Sequence, residues 1–332
     1  MSGSQSTGSK VRVAVVGAGD FGRNHVRVFR ELENVDLAGV VDTNLERAAQ
    51  VASEFSTTAF PSLEALAGRV DAVCVAVPTA DHARIGCALL EQGIDVLVEK
   101  PMAASLAEAD ALIATAAKRG RILQVGHLER FNPAVLAVEP LIRRPLFFEV
   151  HRLGVYTPRS LDIDVVYDVM IHDLDILLAL LHSPVEDLQA VGIPVLTDKV
   201  DIAHARIAFA SGAIANVTAS RVSTERVRKM RFFQEHEYIS LDYTRRDALR
   251  VRVRKPGAQP EFDFEKLPVQ PEEPLRAELR EFVDAVRTRK TPRVDGAAGR
   301  RALELADRVM AGILEHGRRV QLDAFAAPQA SR

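Results

Sequence analysis

The sequence predicts an α/β chain in two parts: an N-terminal doubly wound parallel sheet, then an α+β domain with a large, mostly antiparallel sheet. Three observations carry this. Between Val11 and about Gln124, short β-branched runs alternate with longer helical segments; from about Asp187 to Lys255, strands follow one another without intervening helices; and a glycine-rich turn joins the first strand to the first helix. A chain of 332 residues that is 47% apolar also suits two cores better than one.

In the first part the strand candidates are "VRVAVV", "VDLAGVV", "DAVCVAV", "IDVLV" and "RILQV". Between them lie the helical "NHVRVFREL", "NLERAAQVASEF", "HARIGCALLEQG" and "LAEADALIATAAKRG". Continuously apolar strands joined through helices indicate a parallel sheet covered on both faces. The pattern changes after "RFNPAVLAVEPLIRR". One helix at about 167–182 precedes the strands "DLQAVGIPV", "DIAHARIAFA", "AIANVTASRV", "KMRFFQEH", "EYISLDY" and "LRVRVRK". Ser211-Gly212 reads as a tight hairpin, because glycine supplies the positive φ that such turns require. Two late helices, at about 273–288 and 295–317, lead to a final short strand "RRVQL". The expected domains are 11–126 and 127–322, with 273–317 packing back toward the first and loose tails at 1–10 and 323–332.

Charge and composition exclude several functions. With 43 basic against 45 acidic residues, no general polyanion-binding face is advertised, so no nucleic-acid partner is expected. Cys74 and Cys87 form no disulfide or metal-ligand spacing and read as small core hydrophobes, as in a reducing cytoplasm; no metal is expected. The start "MSGSQSTGSK" lacks a signal-peptide apolar stretch, and nothing later reaches the roughly 18 uncharged apolar residues of a membrane span.

The first motif is the turn Gly17, Ala18, Gly19, Asp20, Phe21, Gly22, between strand and helix. Gly17 allows a tight turn, Gly19 lets backbone approach a pyrophosphate, and Gly22 lets helix and strand pack closely. Asp42, twenty residues beyond Gly22, ends the second strand, where a carboxylate accepts both ribose hydroxyls and repels a 2′-phosphate. The expected cofactor is therefore NAD. The competing roles are Asp42 as a cap for the helix near Asn44, and Arg47 swinging toward a 2′-phosphate.

The second motif is "VLVEKPM", which puts Glu99, Lys100 and Pro101 at the carboxyl end of a buried strand, the edge where open α/β sheets bind ligands. Lys100 there can donate to a substrate hydroxyl and stabilise alkoxide charge, or be an ordinary loop lysine before a helix. "AVPTADH" ends the preceding strand in the same way and places Val77, Pro78, Thr79 and His82 near the cofactor, with His82 alternatively satisfied by backbone at a helix start.

The third is "DVMIHDLDILLALL". Residues four apart share a helix face, so Asp168 and His172 can meet while Asp173 points elsewhere; Asp175 can approach His172 from the other side. Oxidising an alcohol requires a proton acceptor, and an imidazole whose tautomer a carboxylate fixes is suited to it. Val165, Val166, Val169, Met170, Ile171 and Leu174 distinguish the pair from a surface ion pair on a solvated face.

Together, "GAGDFGRNH", the terminal "EKP", "DVMIHDLD" and "EFVDAVRTRKTPRVDGAAGRRALELADRV" resemble the Gfo/Idh/MocA oxidoreductase family, from about Val11 to Leu322. The resemblance implies an NAD-binding Rossmann domain and a catalytic set of Lys100, Asp168 and His172, with His172 as proton acceptor and Lys100 orienting the substrate. It also implies a homodimer or homotetramer built through the second-domain sheet. Many family members precede the Asp-His pair with a glycine-rich segment, whereas this chain has "LDIDVVYDVMIHDLD". That version, with "VGHLERFNPAV", is similar to the branch that oxidises C3 of UDP-N-acetylhexosamines, which adds His127, Arg130 and Asn132 as substrate-facing candidates. Their alternative is structural, with Asn132 capping before Pro133. A nucleotide-sugar site must also neutralise a diphosphate, for which Arg152, Arg159, Arg221, Arg226 and Arg228 are available. The rivals are an inositol or free-sugar dehydrogenase and a non-catalytic dinucleotide-binding regulator, since fold alone does not give function.

Overall fold

The computed structural model describes residues 10–157, 163–255 and 259–322. The two tails and Arg159 lie outside the described residues. The chain divides into two compact units: residues up to His127 together with Glu273–Arg300, and Leu128–Glu272 together with the chain from Arg301 onward.

The first unit is a six-stranded parallel sheet in the order β3-β2-β1-β4-β5-β6. Its elements are β1 (Val11–Val16), α1 (Asp20–Glu31), β2 (Val35–Val41), α2 (Leu45–Glu54), β3 (Thr58–Phe60), β4 (Ala72–Val75), α3 (His82–Glu91), β5 (Asp95–Glu99), α4 (Leu106–Arg119) and β6 (Leu123–Gly126). The central strands are buried along their length, as continuous apolar runs require. Ser105 caps α4 through the Glu108 N–H while Glu108 reaches back to the Ala104 N–H, and Gly120 ends the helix with a φ of 61°. The three-residue β3 has no apolar run to announce it.

Later in the chain are α7 (Pro274–Thr288) and α8 (Gly296–Arg319). Residues 273–300, which the sequence reading assigned to the second domain, belong to the first unit. The reason is the apolar stripe Leu279, Phe282, Val283 and Val286 of α7, which buries in the cluster built by β1, β2 and α1.

The second unit contains α5 (Pro133–Val138), β7 (Phe147–Leu153), α6 (Ile171–Leu181), β8 (Val185–Ile193), β9 (Ile202–Phe209), β10 (Ile214–Ser220), β11 (Val227–Gln234), β12 (Glu237–Asp242), β13 (Asp247–Lys255), β14 (Glu261–Lys266) and the remainder of α8. The eight strands lie in the order β14-β13-β12-β11-β7-β10-β9-β8, antiparallel except for the β7–β10 pair. One face buries Phe148, Val150, Ala205, Ile207, Met230 and Phe232 in a core shared with α6 and α8. The β9–β10 hairpin turns at Gly212, whose φ is 86°. The alternation in β7 and β14, whose polar faces break up the apolar runs, escaped the sequence reading. The expected final strand "RRVQL" is absent from the described residues: Arg318 and Arg319 end α8, and a C-terminal turn follows, with the Val320 N–H on the His316 carbonyl, the Leu322 N–H on that of Gly317, and Gln321 at a φ of 56°. No described helix is long and apolar enough to cross a membrane.

Candidate active site

The glycine turn is shaped by two contacts and one open position. Gly17 has a φ of 99°, and a Cβ there would lie 2.3 Å from the Ala76 carbonyl oxygen. A Cβ on Gly22 would lie 1.7 Å from the Gly17 carbonyl oxygen, so α1 can seat on the sheet only with glycine at this position. At Gly19 a Cβ would meet nothing within 4 Å. The fold itself does not demand glycine there, which leaves room for a dinucleotide pyrophosphate to approach the backbone at the start of α1, where no side chain caps the helix. Val77 packs on the turn, Pro78 and Thr79 follow at its rim, and Phe21 projects outward.

Asp42 closes this region from the end of β2. Its carboxylate accepts from the Ala18 N–H at 2.7 Å, from the Asn44 N–H at 2.8 Å and from Arg47 at 2.7 and 3.1 Å. Burial works against the charge, but Arg47 and the two N–H groups outweigh it and hold the Asp42 carboxyl below its usual range. The cap of α2 is Asn44, whose side chain accepts from the Arg47 N–H. Asp42 is thus a fixed anion beside the glycine turn, and Arg47 is held by it. Asp42→Ser combined with Thr43→Arg is expected to remove the repulsion and release Arg47 as a second phosphate partner. The NADP/NAD ratio of kcat/KM should rise at least about tenfold, the size of one charge-assisted hydrogen bond. Wild-type protein that already prefers NADP would contradict this role for Asp42.

Lys100 follows directly on β5, half-buried, with its N–H 3.2 Å from the Glu99 carboxylate. Beneath it lies a cluster that the sequence did not disclose. The His25 ring on α1 is buried, with Nδ1 2.8 Å from the Phe21 carbonyl and Nε2 3.0 Å from Glu99, and Glu278 of α7 completes a trio whose ligand-type atoms lie within 4.8 Å of one another. Burial opposes the His25 charge; Cys74 and Glu99 outweigh it and hold the imidazole well above its ordinary range. Because burial pushes the Cys74 thiol up, toward its neutral form, Glu99 is the anion that matters. Burial and the nearby Glu99 push Glu278 well above the usual carboxylate range. The surroundings thus favour the protonated form of His25 beside Glu99 and the neutral form of Glu278, and a metal at this trio would compete with the His25 proton. Gly126 at the end of β6 makes room for it, since a Cβ there would lie 2.9 Å from the Glu99 carboxylate.

Of the two roles the sequence left open for His82, the structure shows the helix-start residue satisfied by backbone. Its ring is buried between the Pro101 carbonyl at 2.8 Å and the Val77 carbonyl at 2.9 Å, and burial lowers its pKa. A neutral ring donates to one of these at a time, so His82 clamps the two loops at the ends of β4 and β5 together.

In the second unit, Asp168 and His172 flank the start of α6. Asp168 sits in a π turn, Val166–Met170, that runs directly into the α-helix carrying His172. Such wide single turns recur at functional sites. The segment is anchored at its start, because the Val165 N–H donates to the Val200 carbonyl and the Val200 N–H to Asp164. Val165, Val166, Met170, Ile171 and Leu174 are buried, whereas Asp168 and His172 keep partial access to solvent.

Asp173 points away from that pair, into the core, where it takes a two-point ion pair from Arg152 at 2.7 and 2.9 Å. Arg152 also donates to Glu129 at 2.8 Å and lies over the Tyr243 ring at 4.6 Å. Arg130 is 3.5 Å from Asp175. Asn132 takes the capping role left open above: it is 2% exposed, accepts from the Ala134 N–H to cap α5, and donates to Glu129 and the Tyr243 carbonyl. His127 is 1% exposed at the end of β6.

Residues 11–127 match the model of the oxidoreductase family with an NAD-binding Rossmann fold, and residues 148–239 match its C-terminal domain. The chain belongs to the Gfo/Idh/MocA family. It is 38% identical over 307 residues, 91% of this chain and 97% of the relative, to a UDP-N-acetylglucosamine 3-dehydrogenase from Acidithiobacillus ferrooxidans. A solved structure of that enzyme superposes with a TM-score of 0.86, covering 92% of this chain and 98% of the other. A scyllo-inositol 2-dehydrogenase (NAD(+)) from Bacillus subtilis is 30% identical over 64% of this chain and 68% of its own length. As a Gfo/Idh/MocA protein the chain is an oxidoreductase with NAD as its cofactor, which the glycine turn and Asp42 fit.

Two groups in this Gfo/Idh/MocA chain escaped sequence reasoning. Glu278 lies 179 residues after Glu99 and reads as an ordinary charge on an amphipathic helix. Its one signal is position, four residues before the buried Phe282 on the apolar stripe of α7. Tyr243 likewise reads as a strand-end aromatic, although it roofs Arg152.

Proposed function

We propose that this chain is an NAD-dependent dehydrogenase of a nucleotide sugar, oxidising the C3 hydroxyl of UDP-N-acetylglucosamine or its uronic acid to a 3-keto sugar. The observation that carries this reading is the extent of the 38% identity to a UDP-N-acetylglucosamine 3-dehydrogenase, which spans 91% of the chain, whereas the inositol dehydrogenases match over about half to two thirds of it.

In this reading His172 takes the hydroxyl proton, Asp168 fixes its tautomer and stabilises the imidazolium, and Lys100 donates to the oxygen as negative charge develops on it. When bound, NAD accepts the hydride from the carbinol carbon. Asp42 and the turn from Gly17 to Gly22 hold the dinucleotide. The subunit partner is a second copy of the chain, docked through the eight-stranded sheet.

The test is turnover on UDP-N-acetylglucosamine and its uronic acid against myo-inositol and free hexoses at equal concentration. An aminotransferase with an amino donor removes the ketone, because the equilibrium disfavours it. Both or either UDP-sugar should be preferred, and free N-acetylglucosamine should lose kcat as well as affinity, since the nucleotide places the reacting carbon by remote contacts. Inositol or a free hexose turned over far faster than both UDP-sugars would reject the assignment.

A further inference from the structure

The second unit holds a cavity of ≈ 170 Å³ whose lining includes Arg152, Asp168, Ser220, Arg221, Arg226 and Arg228. Four guanidiniums face one carboxylate. Two of them are engaged elsewhere: Arg152 by Asp173 and Glu129, and Arg221 by the Ile163 carbonyl and by Asp201 at 3.6 Å. The side chains of Arg226 and Arg228 make no ion pair or hydrogen bond among the described residues. Nearby arginines of the same sheet do pair, as Arg231 does with Glu149, Arg250 with Glu237 and Arg254 with Asp263.

The strand register explains why Arg228 is where it is. Arg228 lies opposite Arg152 across the β11–β7 ladder, and two and four residues further along β11 come Met230 and Phe232, both buried. Side chains two apart share a face, so Arg228 continues the face of Met230 and Phe232 past its buried part, at the open end where it lies opposite the buried Arg152. The side chain is open to solvent, yet the atoms around it, the guanidinium of Arg152 and that of Arg226 hold its pKa below the ordinary arginine range. An arriving oxyanion relieves this repulsion.

We propose that Arg226 and Arg228 form the oxyanion site of the substrate, gripping a phosphoryl or carboxylate group one sugar ring away from the hydroxyl presented to Asp168. This rests on the nucleotide-sugar reading above and deepens it. The guanidinium fork matches the paired oxygens of phosphate and carboxylate alike. In a UDP-N-acetylhexosamine the phosphoryl group hangs on C1, two ring atoms from C3; in the uronic acid a second oxyanion hangs on C5, also two ring atoms from C3. Asp168 lines the same cavity, so either group, once bound, brings C3 toward the proposed proton-transfer pair. The volume is below the about 300–1,000 Å³ of a pocket for a complete drug-sized ligand, so it suits one charged end of the substrate rather than the whole nucleotide. Neutral polyols and free hexoses offer nothing to these cations.

The experiment compares wild type with Arg228→Gln, Arg226→Gln and Arg228→Lys. Circular dichroism and urea unfolding of each variant report that the second unit is folded. Each glutamine variant is expected to raise KM about 10- to 100-fold, the loss of a charge-assisted hydrogen bond, with a smaller effect on kcat; lysine should recover part of it. A loss on both UDP-N-acetylglucosamine and its uronic acid assigns the diphosphate, and a loss confined to the uronic acid assigns the carboxylate. Unchanged KM for both sugars in both glutamine variants overturns the site while leaving the nucleotide-sugar reading intact. Wild type that turns over neither UDP-sugar defeats that reading, and equilibrium binding of inorganic pyrophosphate then decides the site: binding lost in Arg226→Gln/Arg228→Gln supports it, and equal binding overturns it.

Discussion

Replacing His172 by alanine is expected to lower kcat on the nucleotide sugar by about 10²–10⁴, the usual contribution of a positioned proton acceptor, while NADH still binds. Dinucleotide contacts are assigned to the glycine turn and Asp42, in the first unit, so their independence of His172 is itself a readout. Asp168→Asn keeps shape and hydrogen-bonding capacity but removes the charge that stabilises the imidazolium, so it should lose less than the histidine variant. Lys100→Ala should also lose turnover with dinucleotide binding retained. The pH profile separates a chemical role from a structural one: the acidic limb of kcat/KM in wild type reports protonation of the acceptor and should flatten in His172→Ala. Near-normal turnover of that variant at neutral pH would eliminate His172 as the base.

The second large effect is on stability. Arg152→Ala is expected to destabilise the second unit by about 3–5 kcal/mol, because it leaves Asp173, 0% exposed, and the partly buried Glu129 without their counter-charge. Burial opposes the Arg152 charge, but Asp173 and Glu129 outweigh it and hold the guanidinium well above even the arginine range. Urea unfolding followed by circular dichroism measures the loss, and a domain-specific transition is read separately from that of the first unit. The combination Arg152→Met, Asp173→Leu and Glu129→Gln should recover much of it, since removing the whole network leaves no orphaned charge. A single Arg152→Ala variant within 1 kcal/mol of wild type would show that water or a rearranged partner replaces the arginine.

Much of the architecture was legible because it rests on local periodicity. The buried runs "AVCV" and "VLV" announce parallel strands, the alternation of "DIAHARIAFA" announces a one-sided sheet, and the glycines at 17 and 22 announce a turn in which the structure leaves no room for a Cβ at either position. The elements that escaped were those whose pattern is short or mixed. β3 has three residues, and β7 interrupts its apolar positions with Glu149, His151 and Arg152. The same locality misled at "RRVQL", where β-branched and long side chains read as a strand although the first two residues close α8 and the rest forms its C-terminal turn.

By itself, then, the sequence determined the two-part fold class, the dinucleotide-type turn with Asp42 behind it, and the spacing of Asp168 and His172. Each depends on residues within about twenty positions of one another, where periodicity and backbone sterics act. Only the tertiary structure decided what the polar side chains do. It turned His82 and Asn132 into structural ties, engaged Arg152 and Arg221 with buried acids, and left Arg226 and Arg228 facing a cavity. It also brought Glu278 to His25 and Glu99. These outcomes depend on which groups meet across long loops, and a buried charge is governed by its partner rather than by its neighbours in the chain.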